Sequence, residues 1–438
     1  MSFLLAAFQA GLRPATGVAF PFGFQDTTLA LTVRTTGGQW LTLQTSTGSR
    51  DTFRDALTEH FADASPKTAE LVAPDARVVD IVSVSSPNLL FFDGPPGTVD
   101  TSRLPSLVVC SFLDSLCNRF IVNILYGLTI DGAQCAGRPL DLGEVRCSDL
   151  RASNTYCAAI VWPAVAPGLG VFVLTNHAIA AAPPLPALPV LKYLDVSTNN
   201  ASAGAGFGQL DISKNPQLDT LNARDTLVND LVTVPGMQLS TVNLIFNDFS
   251  APLNGTTGQP ESIVALVANC LQLRQLSAYN CGLSAANLEA ILDELLATHG
   301  TRTVGQYDFS FGNASFHYLS APINHQRPNE SLVTASAQAK LALVQSYGYN
   351  FGWNLPVFRA TVLTEDTVQI EYISGHDDVT WWQPGDTITF MQSTNRDLVN
   401  EGNHTVLSGT GKVFVATNTK IYPGWIGFTG DNNLIVKA

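Results

Sequence analysis

Charge is scarce in this chain. Of 438 residues, 13% are Asp, Glu, Lys or Arg, about half the share usual in soluble domains. Basic residues number 23 against 36 acidic ones, for a net charge of −13. A chain so short of basic side chains builds no broad positive face for nucleic-acid phosphates. No run reaches the roughly 18 uncharged apolar residues of a membrane-spanning helix. The opening stretch MSFLLAAFQAGLRP lacks the basic n-region and long apolar run of a signal peptide, so it reads as a mature N-terminus. No C-x-x-C occurs among the 7 cysteines. That leaves zinc motifs without their close pairs and favours buried thiols acting as small apolar residues, with disulfides as the alternative. The patterns G-x-S-x-G, H-E-x-x-H and G-x-x-x-x-G-K-[ST] are also missing. GTGKV (409–413) has a Gly-Lys pair, but Val406 and Val413 hold the places of the first Gly and the Ser/Thr, so a hairpin turn is expected.

What the chain does have is a repeat. Leu218, Leu221, Ala223 and Thr226 recur 21 residues later as Leu239, Val242, Leu244 and Asn247. Leu191, Leu194, Val196 and Asn199 have the same spacing, as do Leu273, Leu276, Ala278 and Cys281; Val304, Tyr307 and Phe309 start what reads as the last coil. Apolar residues in an L-x-x-L-x-L pattern face one way from a short strand and the bend before it. The Asn can hydrogen-bond backbone groups that the bend leaves unpaired. One such coil cannot bury its apolar face alone, so coils must stack. This pattern resembles the leucine-rich-repeat family, and LDISKNPQLDTL resembles its short bacterial and phage members. The resemblance implies a solenoid with a concave face that carries the x positions.

Around the repeat, residues 1–100 alternate as strands, with Gly37-Gly38 as a hairpin turn. Within them Asp51 to Ala62 reads as a helix, because Phe53, Leu57 and Phe61 recur every four residues. Ser106 to Tyr126 also fits helical spacing, though a buried strand at its end is open. Residues 127–165 are turn-rich, and their L-x-L fragments read as degenerate early coils or an N-terminal cap. Prolines between 183 and 189 form a stiff connector. LDISKN reads as the outer half of a coil, or as a short strand of its own. Helices are expected over Pro260 to Cys270, over Ser284 to His299 with Ser284 as N-cap and Gly300 as the C′ stop, and over Leu332 to Tyr347.

From Val357 the pattern is short strands to the end. PGDTITFMQSTNRDLVNEGNHTVLSGTGKVFVA resembles β-modules of bacteriophage tail and other virion proteins. The expected architecture is α+β and multidomain: a β-rich N-terminal assembly domain (1–165), a leucine-rich-repeat solenoid (166–315), a connector with a helix (316–356), and a C-terminal small β-barrel or sandwich (357–438).

Candidate binding residues are the x positions of the coils: Tyr193, Asp195, Arg224, Asn243, Arg274, Gln275, Tyr279 and Asp308. Arg and Tyr there suit a mixed polar and aromatic contact, whereas a bland reading leaves all eight simply solvated. In HDDVTWW (376–382), His376, Asp377 and Asp378 could ligate a metal and Trp381-Trp382 could stack on a sugar; a polar turn before a strand is the plainer reading. Five N-x-S/T sequons, at Asn200, Asn254, Asn313, Asn329 and Asn403, are common by chance in such a chain. No catalytic residue, metal or cofactor is assigned. The two resemblances together imply a non-enzymatic structural protein of a bacteriophage virion, in tail, baseplate or fibre. Its partners would be other virion proteins, further copies of itself, or a host-surface protein or glycan. A secreted or cell-surface leucine-rich-repeat binding protein and a tail-associated polysaccharide depolymerase are the alternatives.

Overall fold

On the first strand three phenylalanines alternate with smaller residues, so one face of the strand is aromatic. The strand is β1 (Val18–Gln25), and Phe20, Phe22 and Phe24 on it are fully buried. A computed structural model of the chain describes residues 17–35, 41–52 except 47, 56–73, 78–199 and 207–249. It also describes 262–302, 306–311, 335–352 and the strands that follow, with single-residue and short gaps between 105 and 183. The N-terminal stretch to Pro14, Gly37-Gly38, Val304, the 376–382 cluster, GWIGF (424–428) and the sequon residues Asn200, Asn254, Asn313 and Asn329 lie outside the described residues. The chain divides into two units, Met1–Leu239 and Ser240–Ala438.

The first unit begins as antiparallel sheet. It comprises β1, β2 (Thr28–Thr35), β3 (Leu41–Thr45), β4 (Gly48–Thr52), β5 (Ala56–His60), β6 (Pro66–Ala73) and the long β7 (Val78–Phe92). Where the structure describes the expected helix over Asp51 to Ala62, it shows strand instead: β4 runs to Thr52 and β5 covers Ala56–His60. A spacing of four is even, so it satisfies a strand's period of two as well as a helix. Cross-strand pairing decides the outcome: Leu57 lies opposite Leu31, and the Phe61 ring packs on Phe24 at 5.2 Å. Gly23 is required where it stands, because a Cβ there would lie 2.3 Å from the Phe91 ring.

β7 links this sheet to a solenoid. It pairs antiparallel with β1 and β2 and parallel with β9 (Val109–Ser115). From there a parallel ladder runs through β11 (Gly127–Asp131), β13 (Asp149–Ser153), β15 (Val171–Thr175), β16 (Tyr193–Asp195) and β18 (Thr220–Asn222). A second ladder joins β8 (Thr98–Asp100), β10 (Arg119–Asn123), β12 (Leu140–Arg146) and β14 (Ile160–Val161). A third pairs β17 (Gly208–Asp211) with β19 (Val228–Val232). Each coil thus gives one strand to the first ladder and, in most cases, another to the second or third. LDISKN begins in β17, so it is both the far side of a coil and a strand of its own.

The repeat starts earlier than its leucines suggest. Cys110, Leu128, Leu150, Phe172, Leu194 and Leu221 are direct ladder partners, and all six are essentially buried. From Leu128 to Leu194 successive members are 22 residues apart. The region 106–126, expected to be helical, is β9 and β10, and 127–165 consists of true coils. Cys110 and Phe112 face inward two residues apart, as strand geometry requires. At the start of the solenoid a run of aromatic rings closes its core: Phe92 packs on Phe22 at 6.2 Å and on Phe112 at 6.0 Å, and Phe112 on Phe120 at 6.2 Å. Arg103 locks this junction. It pairs with Asp93, donates to the Ala19 carbonyl at 2.7 Å, and lies over the Phe20 ring.

The second unit continues the theme with helices. Its parallel ladder is β20 (Thr241–Asn243), β21 (Gln275–Ser277), β22 (Tyr307–Ser310) and β23 (Tyr349–Gly352). Phe309 is therefore not in the last coil. The helices are α1 (Ser262–Asn269), α2 (Ala285–Thr298) and α3 (Ala335–Ser346). Ser284 caps α2 by accepting from the Asn287 N–H at 3.1 Å, and Leu288, Ile291, Leu292 and Leu295 are its buried face. The chain passes from α2 into a 3-10 turn, His299–Thr301, so Gly300 does not end the helix in the left-handed region. Buried Arg302 donates to the Cys270 carbonyl at 3.3 Å and to the Val267 carbonyl, which satisfies the C-terminal end of α1. Lys340 ties α3 to α2 through Glu289 and Asp293 at 2.9 and 2.8 Å.

Beyond these lie β24 (Phe358–Thr364), β25 (Thr367–Tyr372), β26 (Thr387–Phe390), β27 (Gly402–Thr410), β28 (Val413–Thr417), β29 (Thr429–Asn432) and β30 (Ile435–Lys437). They form one sheet in the order β29-β24-β25-β28-β27-β26-β30, with antiparallel neighbours. Thr410 pairs with Val413 across β27 and β28; the Gly-Lys pair between them, expected at a hairpin turn, lies outside the described residues.

Candidate functional site: the outward columns of the parallel ladders

Stacking in register turns sequence positions into columns. Neighbouring members of a column stand about 4.8 Å apart, the spacing of paired strands. In the first unit one outward column is Val109, Gly127, Asp149, Val171, Tyr193 and Thr220. On the other side of the inward column stand Ser111, Thr129, Arg151, Val173, Asp195 and Asn222. In the second unit the corresponding columns are Thr241, Gln275, Asp308 and Asn350, and Asn243, Ser277, Ser310 and Gly352.

The eight candidate residues fall on four different places in the coil. Tyr193, Gln275 and Asp308 hold the first strand position, and Asp195 and Asn243 the third. Arg274 stands just before its strand. Arg224 and Tyr279 lie on the corner after the strand, each next to a residue of positive φ, Asp225 and Asn280. Within the first unit the ladder brings Tyr193 and Asp195 together: the Tyr193 hydroxyl donates to Asp195 Oδ2 at 3.3 Å. Within the second it aligns Gln275 with Asp308.

Their surroundings differ. Asp195 is buried and spent on structure. It accepts from the Ser197 N–H at 2.9 Å and from Asn222 Nδ2 at 3.0 Å. Asn222 and Asn243 repeat the first of these bonds, to the Arg224 and Ile245 N–H groups at 3.4 and 3.2 Å. The third position thus caps the turn that follows each strand. Burial raises the pKa of the Tyr193 hydroxyl, and the nearby Asp195 charge raises it further. Arg224, Arg274, Gln275 and Asp308 are exposed, and Tyr279 and Asn243 are half-buried. Asp308 accepts from Ser310 Oγ and Asn350 Nδ2 at 3.2 and 3.3 Å and still faces solvent.

Two groups escaped the sequence reading. Arg151 and Asp149 form a bidentate pair at 2.9 and 3.0 Å on the first unit's outward face. Their signal is the offset of 44 residues that separates them from Asp195 and Tyr193, twice the coil length. The second group lies inside the solenoid. Cys117, Cys135 and Cys157 each stand two residues past the Asn position of their coils, held there by Ser115, Ala133 and Thr155. Cys157 meets Thr155 Oγ1 at 3.3 Å and His177 Nδ1 at 3.5 Å. The Cys135 thiol donates to the Ala133 carbonyl at 4.0 Å, and its interaction with Cys157 lowers the pKa of Cys157 and raises that of Cys135. All seven cysteines are buried free thiols. Cys281 holds the Asn position of its coil and donates to the Leu244 carbonyl at 3.0 Å.

Among the described residues no group of three or more His, Cys, Asp or Glu is arranged to hold a metal ion. No described helix is long and apolar enough to cross a membrane. Fold and columns together define a β-solenoid repeat protein. Comparison with protein-family models, with curated proteins and with solved structures gives no match for the chain.

Proposed function

We propose that the chain is a non-enzymatic structural and interaction protein of a bacteriophage virion, part of a tail, baseplate or fibre. We read its repeat as leucine-rich in type. It meets a protein or glycan partner through outward ladder columns. One observation carries the binding part: in the second unit Arg274, Gln275 and Asp308 are exposed, while the column beside them, Val242, Leu276, Phe309 and Phe351, is buried. Core and contact surface are thereby separate sets of side chains, so the outward set can vary without cost to the fold. The virion setting is supported by the resemblance of the 384–416 stretch to virion β-modules. A charge content of 13% is also in keeping with a protein that covers much of its surface with neighbours.

Mass spectrometry of purified particles, with this chain quantified against the major capsid protein, tests the setting. A fixed copy number in the particle supports it. A chain expressed during infection yet missing from purified particles overturns it.

A further inference from the structure

We propose that the second ladder of the first unit carries a separate binding groove for an acidic saccharide. The groove lies over β10 and β12, has a volume of about 340 Å³, and is lined by Ile121, Asn123, Gly143, Glu144, Arg146 and Ala164 among others. That volume is at the lower end for small-molecule sites.

Local sequence opens the groove. The pairing of β10 with β12 slips between Arg119 and Ile121, so that Arg119 faces Asp141 while Ile121 faces Glu144. Gly143 sits in the slipped stretch, with its N–H held by Asp141 Oδ1 at 3.0 Å. With Gly143 in that stretch and Ala164 beside it, the floor stays low, and Ile121 gives it an apolar patch.

The polar rim is built for hydroxyls and a carboxylate. Asn123 is the ladder partner of Arg146, and both side chains are exposed. Among the described residues neither makes a side-chain hydrogen bond or ion pair. Arg146 therefore offers an uncommitted guanidinium fork, the group best shaped for a carboxylate. Glu144 is held by Arg119, which offsets its charge and leaves lone pairs for a ligand hydroxyl. Asn123 can donate and accept. An uncommitted Arg is notable in a chain with a net charge of −13.

A sugar suits the place better than an acidic peptide. A peptide on a sheet gains affinity chiefly from main-chain bonds at an open edge. Here β8 and β14 pair only with the starts of β10 and β12, but the carbonyls along the groove are taken: those of Ile121, Gly143 and Arg146 accept from the Thr101, Ala164 and Ile124 N–H groups at 2.9, 3.1 and 3.0 Å. Side chains are therefore the main groups on offer, in the mix that hydroxyls and a ring's C–H face require. The groove is distinct from the columns of the first unit's first ladder and of the second unit's ladder, so either assignment stands or falls without the other.

Calorimetric titration of the full chain tests the groove, with a galacturonic-acid trimer, the neutral galactose trimer and a hexaglutamate peptide as probes. The acidic trimer should bind, and the neutral trimer should bind about tenfold more weakly or worse, as the loss of a charge-assisted contact implies. Arg146→Ala and Ala164→Glu should each weaken the acidic trimer to a similar degree with the thermal melt unchanged. The proposal is overturned if the acidic trimer fails to bind at millimolar concentration, if the neutral trimer binds equally well, or if Arg146→Ala leaves affinity intact. Tighter binding of hexaglutamate than of the sugar would assign the groove to a protein partner instead.

Discussion

The His177 N–H donates to Asn199 Oδ1 at 3.0 Å, and the two residues hold the same place in successive coils. Asn199 also donates to the Leu174 carbonyl at 2.9 Å and to the Val196 carbonyl. One coil earlier, His177 Nε2 bonds the Ala152 carbonyl at 3.0 Å, and Ala152 is the ladder partner of Leu174. A histidine thus does for its coil what asparagine does for the next. Asn199→Ala would strand the His177 N–H and the Leu174 carbonyl in a dry interior. The expected loss is about 1–3 kcal/mol, read from the urea midpoint. An unchanged midpoint would mean that these backbone groups find other partners.

Just before that position every coil from β11 to β18 turns left-handed. Gly132, Asn154, Asn176, Thr198 and Asp225 have φ of 71, 53, 59, 55 and 55°. Gly, Asn and Asp accept this conformation; a β-branched Thr does so at a cost of about 1–2 kcal/mol. Thr198 recovers part of that cost, since its Oγ1 accepts from the Asn176 N–H at 3.1 Å and donates to the Ser197 carbonyl. Thr198→Asn should extend the Asn154–Asn176 amide ladder and raise stability by about 0.5–1 kcal/mol. A lower melting temperature would show that the hydroxyl bonds outweigh the backbone strain.

Where leucine fills the repeat, the sequence revealed the coils; where other residues do, it did not. The coils from Leu191 to Phe309 were readable because leucine and asparagine recur in them. The coils from Leu107 to His177 keep the spacing but fill it with Cys110, Ala133, Cys147, Phe172 and His177. All five are buried, so volume and apolarity at the first four, and hydrogen bonding at His177, satisfied the fold without preserving the letters. The missed corner column of Gly, Asn and Asp is a better marker there than the leucines. The candidate site was legible as positions but not as chemistry. Nothing in the order of residues tells that Asp195 folds back onto Ser197 while Asp308 stays in solvent.

Buried thiols make stability fall at high pH. Burial pushes Cys117, Cys147, Cys270 and Cys281 up to about 12, against about 8.5 in an unfolded chain. Above 8.5 the unfolded state therefore holds fewer protons than the folded one. By linkage, stability is retained below that pH and is lost as pH climbs toward 12, at about 1.4 kcal/mol per thiol per pH unit. The contribution of these four thiols to the urea midpoint should be level between about pH 6 and 8 and should fall steeply by about pH 10, while the lowered pKa of Cys157 acts in the opposite sense below about 8.5. Cys117→Ala should make the drop shallower. A thiol titration after denaturation without reductant should also count seven, in line with the free cysteines; a count of one or three would point to disulfides and to a secreted protein.

The outward columns separate residues that hold the fold from residues free to bind, and two variants set these against each other. Asp195 makes three structural bonds, so Asp195→Ala should cost about 1–3 kcal/mol. Arg274 and Gln275 are exposed, and the paired change to Ala should move stability by no more than about 0.5 kcal/mol. If the second unit's face is a contact surface, that same pair should reduce incorporation into particles, or adsorption of the particles to cells. Arg is a frequent anchor of protein contacts, and its truncation often costs about 2 kcal/mol or more of binding. The two readouts are independent, because neither side chain faces the column of Leu276. A stable Arg274→Ala/Gln275→Ala variant that assembles and adsorbs like the parent would leave these columns as a solvated wall, and the solenoid as a spacer between the regions on either side of it.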